Sequence, residues 1–521
     1  MIQAIRESLS PHKMIDDKFH ACVPECPTTA CEHVAAKMNY YYMQRIKIIG
    51  ISALLAVMIT QTTIAQIGKP FIHDPSTVVE CDGKYYTFGT GGGGLISEDG
   101  WKWNGGGVRP GGGAAPDAMK IGDRYLVVYG ATGGSSNHKG AILTMWNNTL
   151  DPNSPDFKYT EPVVVATSDG YEECDAIDPG LMLDPTTGRL WLTYGTYFGF
   201  IRIVELDPKT GERVKGNEHV NVAIVCEAAV LAYHDGWYYL LATHGSCCDG
   251  SNSTYNIVVG RSKSVTGPFV DNVGRSMLEG GGKMVAATSG RLIGPGHFGR
   301  MVLEDGIEKM SFHYEADLDQ GGLSVLGIRP LLWKNGWPVA GDNIKEGTYV
   351  IESERRGYAL ELNVDLVRMP VARGWNRNPN DPVNPVPSQE LKDVMPTWPT
   401  GNIDARIGDY MARPNQKWTI TAATDSSGYL GAPYYRIIIE GTDRALAATA
   451  DAEVITVPAF TGAPEQLWRI DQLTDGTYRI MPKQVPNSKE KLALVSSGDS
   501  TPALAEFDVK SDNSKWNFKA P

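Results

Sequence analysis

Three carboxylates in this sequence occupy look-alike settings. Asp74 in FIHDPSTVVE, Asp178 in AIDPGLML and Glu227 in CEAAVLAY each stand at the mouth of an apolar run with strand character. Asp117 in APDAMKI and His297 in LIGPGHFGRMV hold comparable places. A single aspartate ahead of a strand is ordinarily a turn residue. Four acids and a histidine at the mouths of five such runs ask for a shared purpose. No serine, thiol or lysine nucleophile motif accompanies them, so the chemistry they suggest is acid/base hydrolysis. Glycosidic bonds are cut by a carboxyl pair, one protonating the leaving oxygen and the other acting on the opposite face of the sugar. When the second carboxylate activates water, the pair stands roughly 6.5–9.5 Å apart and the anomeric configuration inverts. Like charges in a partly dehydrated cleft also push one carboxyl pKa upward, as a general acid requires.

The elements that must carry these residues repeat. HDPSTVVECDGKYYTFGTG, APDAMKIGDRYLVVYGATG, AIDPGLMLDPTTGRLWLTYGTY, CEAAVLAYHDGWYYLLATHG and GPGHFGRMVLEDGIEKMSFHY share one plan. Each sets an acid or histidine, an apolar strand, a turn, then an aromatic-rich strand, and further strands such as IRIVEL, YNIVVGRS and LSVLGIR follow. The anchors lie 43, 61, 49 and 70 residues apart. Units of that size, each a meander of about four strands, are propeller blades. The expected class is all-β, with a five-bladed β-propeller over residues 66–345. The innermost strand of every blade starts near the axis, so residues at those starts converge on one funnel. The formal charge of −12 argues against a nucleic-acid partner and suits a neutral ligand such as a sugar.

The N-terminal region reads as an address. MQRIKIIGISALLAVMITQTTIAQ begins at Met43, with basic Arg45 and Lys47, an apolar run, and Thr63-Ile64-Ala65 as a small-x-small site before Gln66. The run is shorter than the ~20 residues a membrane span needs. This predicts a signal peptide at 43–65, an over-called extension at 1–42, and a secreted or periplasmic mature chain with no membrane span. Five cysteines follow the cleavage site: Cys81, Cys174, Cys226, Cys247 and Cys248. An odd count without regular spacing is no disulfide framework and no zinc site. The adjacent Cys247 and Cys248 are expected as buried free thiols.

Taken in order over 69–342, the motifs FIHDPS, DAIDPG, CEAA, CCDGSNSTYNIVVGRSKSVTGPF and LIGPGHFG resemble glycoside hydrolase family 43, and within it the endo-1,5-α-L-arabinanase branch. The resemblance implies an inverting mechanism on a five-bladed propeller. It implies Asp74 as the general base, Glu227 as the general acid, and Asp178 as the residue that tunes and orients the acid. It implies that His297 coordinates a central cation, calcium, largely through waters. It puts Asp175 and Thr196 in contact with substrate, although Asp175 is equally readable as a turn residue. His73 borders the same subsite as a packing and hydrogen-bonding residue. Asp117 resembles a structural aspartate that holds the second blade. The chain departs from the family pattern at Ala114, where an aromatic residue is usual, and at Glu227-Ala228-Ala229, where EGP or EAP is usual. Both changes remove apolar stacking surface, which bears on linkage and chain-length preference.

Residues 346–521 follow another plan. Three units end at NQKWTI, EQLWRI and NSKWNF, with Trp418, Trp468 and Trp516 spaced by 50 and 48 residues. This resembles a ricin-type β-trefoil, with Ser514 in the third glutamine place and an irregular insertion at roughly 370–402. Of the three sugar-binding steps only Glu361 keeps a carboxylate, so a structural trefoil and a lectin are both open. Every candidate catalytic residue precedes 342, so the trefoil is expected to fold independently and to be dispensable for bond cleavage. The whole reads as a secreted glycosidase cleaving α-L-arabinofuranosyl linkages, with plant cell-wall arabinan or arabino-oligosaccharide as its partner. An exo-acting arabinofuranosidase or β-xylosidase of the same fold is the alternative within the class. A non-catalytic sugar-binding propeller with a lectin trefoil is the alternative outside it, and the joint presence of Asp74, Asp178 and Glu227 speaks against that.

Overall fold

A computed structural model describes residues 66–131, 139–169, 173–355, 357–364, 398–424, 427–498 and 500–521. The expected extension, the signal peptide and most of the proline-rich insertion lie outside the described residues. The described residues belong to one compact unit.

Five sheets follow one another along the chain as the blades of a propeller, antiparallel except where Ile67–Gly68 joins the outer strand Lys102–Val108 of the first blade in parallel. They run over 67–108, 114–167, 180–223, 227–286 and 292–340. The second strands of the third and fifth blades, Leu190–Tyr194 and Ile307–Asp317, are buried at every position. Burial on both faces follows from a blade being sandwiched between two others; Leu190–Tyr194 meets it with a nearly unbroken apolar run, whereas Ile307–Asp317 alternates Met310, Phe312, Tyr314 and Ala316 with buried polar and charged residues. Leu126, Val128 and Ile142 pack against Leu181, Leu192 and Val204 between the second and third blades. Where the ring closes, Ile72, Val78, Leu95 and Trp103 of the first blade meet Met301, Leu326 and Ile328 of the fifth. The Leu326 N–H donates to the Pro70 carbonyl at 2.8 Å across that seam.

The mouth of each inner strand carries one non-glycine residue in the left-handed region. They are Asp74 (φ 49°), Ala115 (48°), Asp178 (52°), Ala228 (47°) and His297 (62°). Each costs on the order of 1 kcal/mol or more, so the surroundings must hold it. The Asp74 N–H donates to His313 Nδ1 at 3.1 Å, Ala115 N–H to Thr90 Oγ1 at 2.9 Å, and His297 N–H to Thr243 Oγ1 at 2.9 Å. The Ala228 N–H donates to the Asp178 carboxyl. These five residues mark the register of the repeat, and it differs from the register of the acids. Asp117 sits two residues past the mark and Glu227 one residue before it. Asp117 accordingly turns away from the funnel. Its carboxylate accepts the N–H groups of Thr77 at 3.0 Å, Ala118 at 2.8 Å and Leu181 at 2.8 Å, tying three blades together.

The C-terminal region forms a ten-stranded sheet system with two small hairpins. Trp418, Trp468 and Trp516 are fully buried, and their indole N–H groups donate to the carbonyls of Leu360, Leu446 and Leu494 at 2.9, 2.9 and 2.7 Å. This is the threefold core of a trefoil. Ser514 takes over the missing glutamine's part by accepting the Asp508 N–H at 3.3 Å. The trefoil is not a separate body. Its hairpin, Gly428–Tyr429 and Ala432–Pro433, drives its tip into the propeller seam, where Leu430 joins the cluster shared by the first and fifth blades. The approach demands glycine. A Cβ on Gly428 would lie 2.3 Å from Trp101 Cβ, and one on Gly431 (φ 84°) 2.5 Å from Ile328 Cγ2. Lys309 of the fifth blade, itself buried, donates to the Leu430 carbonyl. Arg479 of the trefoil pairs with Glu304 of the fifth blade at 2.7 Å. Buried apolar and charged groups thus seal the boundary between propeller and trefoil.

Candidate active site

Asp74, Asp178, Glu227 and His297 come together at the funnel because each stands at the start of an inner strand. Asp74 Oδ2 accepts the Thr90 hydroxyl at 2.6 Å and lies 2.9 Å from His73 Nδ1. Its Oδ1 faces His297 Nδ1 at 3.8 Å and His313 Nδ1 at 3.9 Å. Glu227 accepts the hydroxyl of the buried Tyr255. Asp178 is anchored one residue along from Glu227, through the Ala228 N–H. Behind Asp74, the buried Glu315 accepts from His73 Nε2 and His313 Nε2, both at 3.0 Å.

The environments push these carboxyls apart. Burial alone would raise Asp74, but hydrogen bonding from His73 and the fields of His297, His73 and His313 hold it well below the usual carboxylate range. Burial raises Asp178 well above that range, and the charges of Glu227 and Asp74 push it the same way. Burial raises Glu227 too, opposed by the Tyr255 hydroxyl and reinforced by Asp74 and Glu315. His73 loses some proton affinity to burial but gains more from Asp74 and Glu315, which carry it up to about 10. Glu315 is lowered to about 2 because His313 and His73 outweigh its burial. The surroundings therefore pull Asp74 toward its ionised form and push Asp178 and Glu227 toward their protonated forms. Carboxyls pushed apart in this way are what paired acid and base chemistry needs.

Residues 67–338, more than half of the chain, match the family described as glycosyl hydrolases family 43. The chain belongs to that family. The hydrolase is similar to extracellular endo-alpha-(1->5)-L-arabinanase 1 of Bacillus subtilis, 34% identical over 228 residues, which cover 43% of this chain and 67% of the relative. It is similar to extracellular exo-alpha-(1->5)-L-arabinofuranosidase ArbA of Cellvibrio japonicus, 31% identical over 242 residues, covering 43% and 68%. Among solved structures it is similar to an exo-1,5-alpha-L-arabinanase from a bovine ruminal metagenomic library, at 32% identity and a TM-score of 0.48, covering 52% of this chain and 97% of the other. Residues 414–505 match the ricin-type beta-trefoil lectin domain-like family.

The remaining expected residues of the hydrolase divide. Asp175 is buried, and its carboxylate accepts the Ser168 hydroxyl at 2.7 Å, while that oxygen accepts the Gly140 and Ala176 N–H groups. This arrangement organises a loop. Thr196 is also buried, and its hydroxyl has no hydrogen-bond partner among the described residues. His73 is more than a border residue, since it bridges Asp74 and Glu315. His297 is buried, which lowers it to about 4 and keeps the ring neutral. Its ring is hydrogen-bonded to the Pro116 carbonyl, so one nitrogen carries the proton and the other keeps a lone pair, as a metal ligand requires. Calcium prefers six to eight oxygen ligands, so waters would have to supply most of its shell there.

Cys247 and Cys248 are joined to each other as a disulfide, and neither is buried, contrary to the expected buried thiols. Cys248 takes a left-handed conformation (φ 61°), a turn that lets adjacent side chains meet. Cys81, Cys174 and Cys226 are buried free thiols. Four site residues escaped the sequence: Thr90, Tyr255, His313 and Glu315. Tyr255 lay inside the STYNI run and His313 inside SFHY, but neither run says which carboxylate its polar atom meets.

Proposed function

We propose that this family 43 hydrolase is a secreted or periplasmic, inverting enzyme that cleaves α-L-arabinofuranosyl linkages, acting endo on 1,5-α-L-arabinan. The observation that carries the reading is the split among the three funnel carboxyls, Asp74 held ionised and Glu227 and Asp178 pushed toward protonation. In this mechanism Asp74 takes a proton from water as the water attacks the anomeric carbon. Glu227 gives its proton to the departing glycosidic oxygen. Asp178 sits beside the acid, fixed by the Ala228 N–H, and the charge of Glu227 raises its cost of ionising. A calcium or similar cation held by His297 and waters would add positive charge on the axis. Arabinan specificity comes from the names of the relatives, and the exo-acting ArbA among them keeps exo cleavage as the second reading. The trefoil serves as a structural part, because its one candidate sugar-binding carboxylate, Glu361, is spent on Gln416 Nε2 at 2.9 Å. Among the described residues no helix is long and apolar enough to cross a membrane.

Leaving groups separate the two catalytic roles. Glu227→Ala should slow polysaccharide cleavage by ~10²–10⁴-fold and spare an aryl arabinoside whose phenol departs unaided. Asp74→Ala should be slow on both. Oligosaccharides from linear arabinan should appear before arabinose, and NMR of the first-formed sugar should show inversion. Retained configuration, or equal losses for both variants on both substrates, would overturn the assignment.

A further inference from the structure

Glu315 lies on Ile307–Asp317 of the fifth blade, and its side chain is 2% exposed. A carboxylate so deeply placed must be paired. Its Oε1 accepts from His73 Nε2 and from His313 Nε2 at 3.0 Å each, and its Oε2 accepts the Cys248 N–H at 2.9 Å. Counting donors settles both imidazoles. The Asp74 N–H can only donate, and it meets His313 Nδ1, so that nitrogen keeps its lone pair. The proton of the His313 ring therefore sits on Nε2, aimed at Glu315. His73 meets a carboxylate oxygen at each nitrogen, Asp74 Oδ2 at 2.9 Å and Glu315 Oε1 at 3.0 Å, and so donates from both. The two rings stack with centroids 4.5 Å apart. One buried carboxylate thus orients both rings. One ring secures the left-handed backbone of Asp74 and the other secures its side chain.

The geometry points to Glu315 as a positioning residue for the general base: through His313 and His73 it sets the backbone and the carboxylate of Asp74 in the attitude from which water is activated. The inference rests on Asp74 being the base. Glutamine at 315 would have the right shape and the wrong atoms. Either orientation of its amide turns an N–H toward a group that must itself donate, the two histidines in one case and the Cys248 N–H in the other.

The test is a double-mutant cycle on the full chain. Glu315→Gln and Glu315→Asp are made alone and in the Asp74→Ala background. Then kcat and KM are measured on linear arabinan and on an aryl arabinoside, with melting temperatures alongside. Glu315→Gln should lose about 10²-fold in kcat, the usual effect of misplacing a reacting group by about an ångström, with KM changed less than about threefold. The loss should be equal on both substrates, because both need activated water. In the Asp74→Ala background the same exchange should cost no further rate, because the group it positions is gone. Glu315→Asp, which keeps the charge, should recover part of the loss. An equal loss with and without Asp74, or a loss confined to KM, would mean that Glu315 serves folding and would overturn the proposal. Should the glutamine variant fail to fold, the aspartate variant runs the same cycle under the same criterion. Full activity in Asp74→Ala alone would sink the base assignment instead, whatever Glu315 does.

Discussion

Removing one oxygen, in Tyr255→Phe, should move the basic limb of the pH–rate profile upward. The Tyr255 hydroxyl donates to Glu227. Burial, and after it the charge of Glu227, keep Tyr255 far above the usual phenol range, so it remains a donor throughout. A donor favours the ionised carboxylate, and among the influences on Glu227 this one opposes burial and the charges of Asp74 and Glu315. Without it Glu227 holds its proton to higher pH. A hydrogen bond to a charged group is worth about 1.5–3 kcal/mol, and one pKa unit is about 1.4 kcal/mol, so the limb should rise by about one to two pH units. Water entering the vacated space would return part of that and favour the lower figure. The assay is kcat/KM against pH on linear arabinan, where the basic limb reports the acid of the free enzyme. An aryl arabinoside with a good leaving group serves as the control, since its cleavage needs no acid and the limb due to Glu227 should be absent. A limb that stays in place or moves down on arabinan would refute the reasoning, because Tyr255 would then not be favouring ionised Glu227.

The remaining predictions concern the whole chain. Leu430→Ala should destabilise the protein by about 2–5 kcal/mol, as for other fully buried leucines, read by denaturant unfolding. A fragment ending at residue 345 should melt below the full chain, because it exposes the seam around Trp101 and Ile328 and leaves Lys309 without the Leu430 carbonyl. A fragment as stable as the full chain would show that the hairpin only rests on the seam. If the proposed export holds, protein recovered outside the producing cell should begin near Gln66, and mass spectrometry that finds residues 1–42 attached would contradict the signal peptide.

The blades were legible because each is a local object. An apolar strand, a Gly/Asp turn and an aromatic strand are written within some twenty residues, and their recurrence is visible without any contact between them. The three tryptophans of the trefoil were legible for the same reason. The acids at the strand mouths could be found but not aligned, because the repeat is marked by a left-handed backbone that Ala115 and Ala228 adopt as readily here as Asp74 does. Residue type does not encode that conformation when neighbouring strands impose it. The partners of the funnel residues were beyond local reading altogether. Glu315 meets His73 across 242 residues and His313 meets Asp74 across 239, and only the closing of the ring sets the fifth blade against the first. The same closure creates the seam that Leu430 fills, a contact that no local pattern in either region announces. Local pattern determined the strands, the repeat and the acids in the funnel. Tertiary structure decided which acid is ionised, because a pKa answers to burial and to charges brought close from distant parts of the chain.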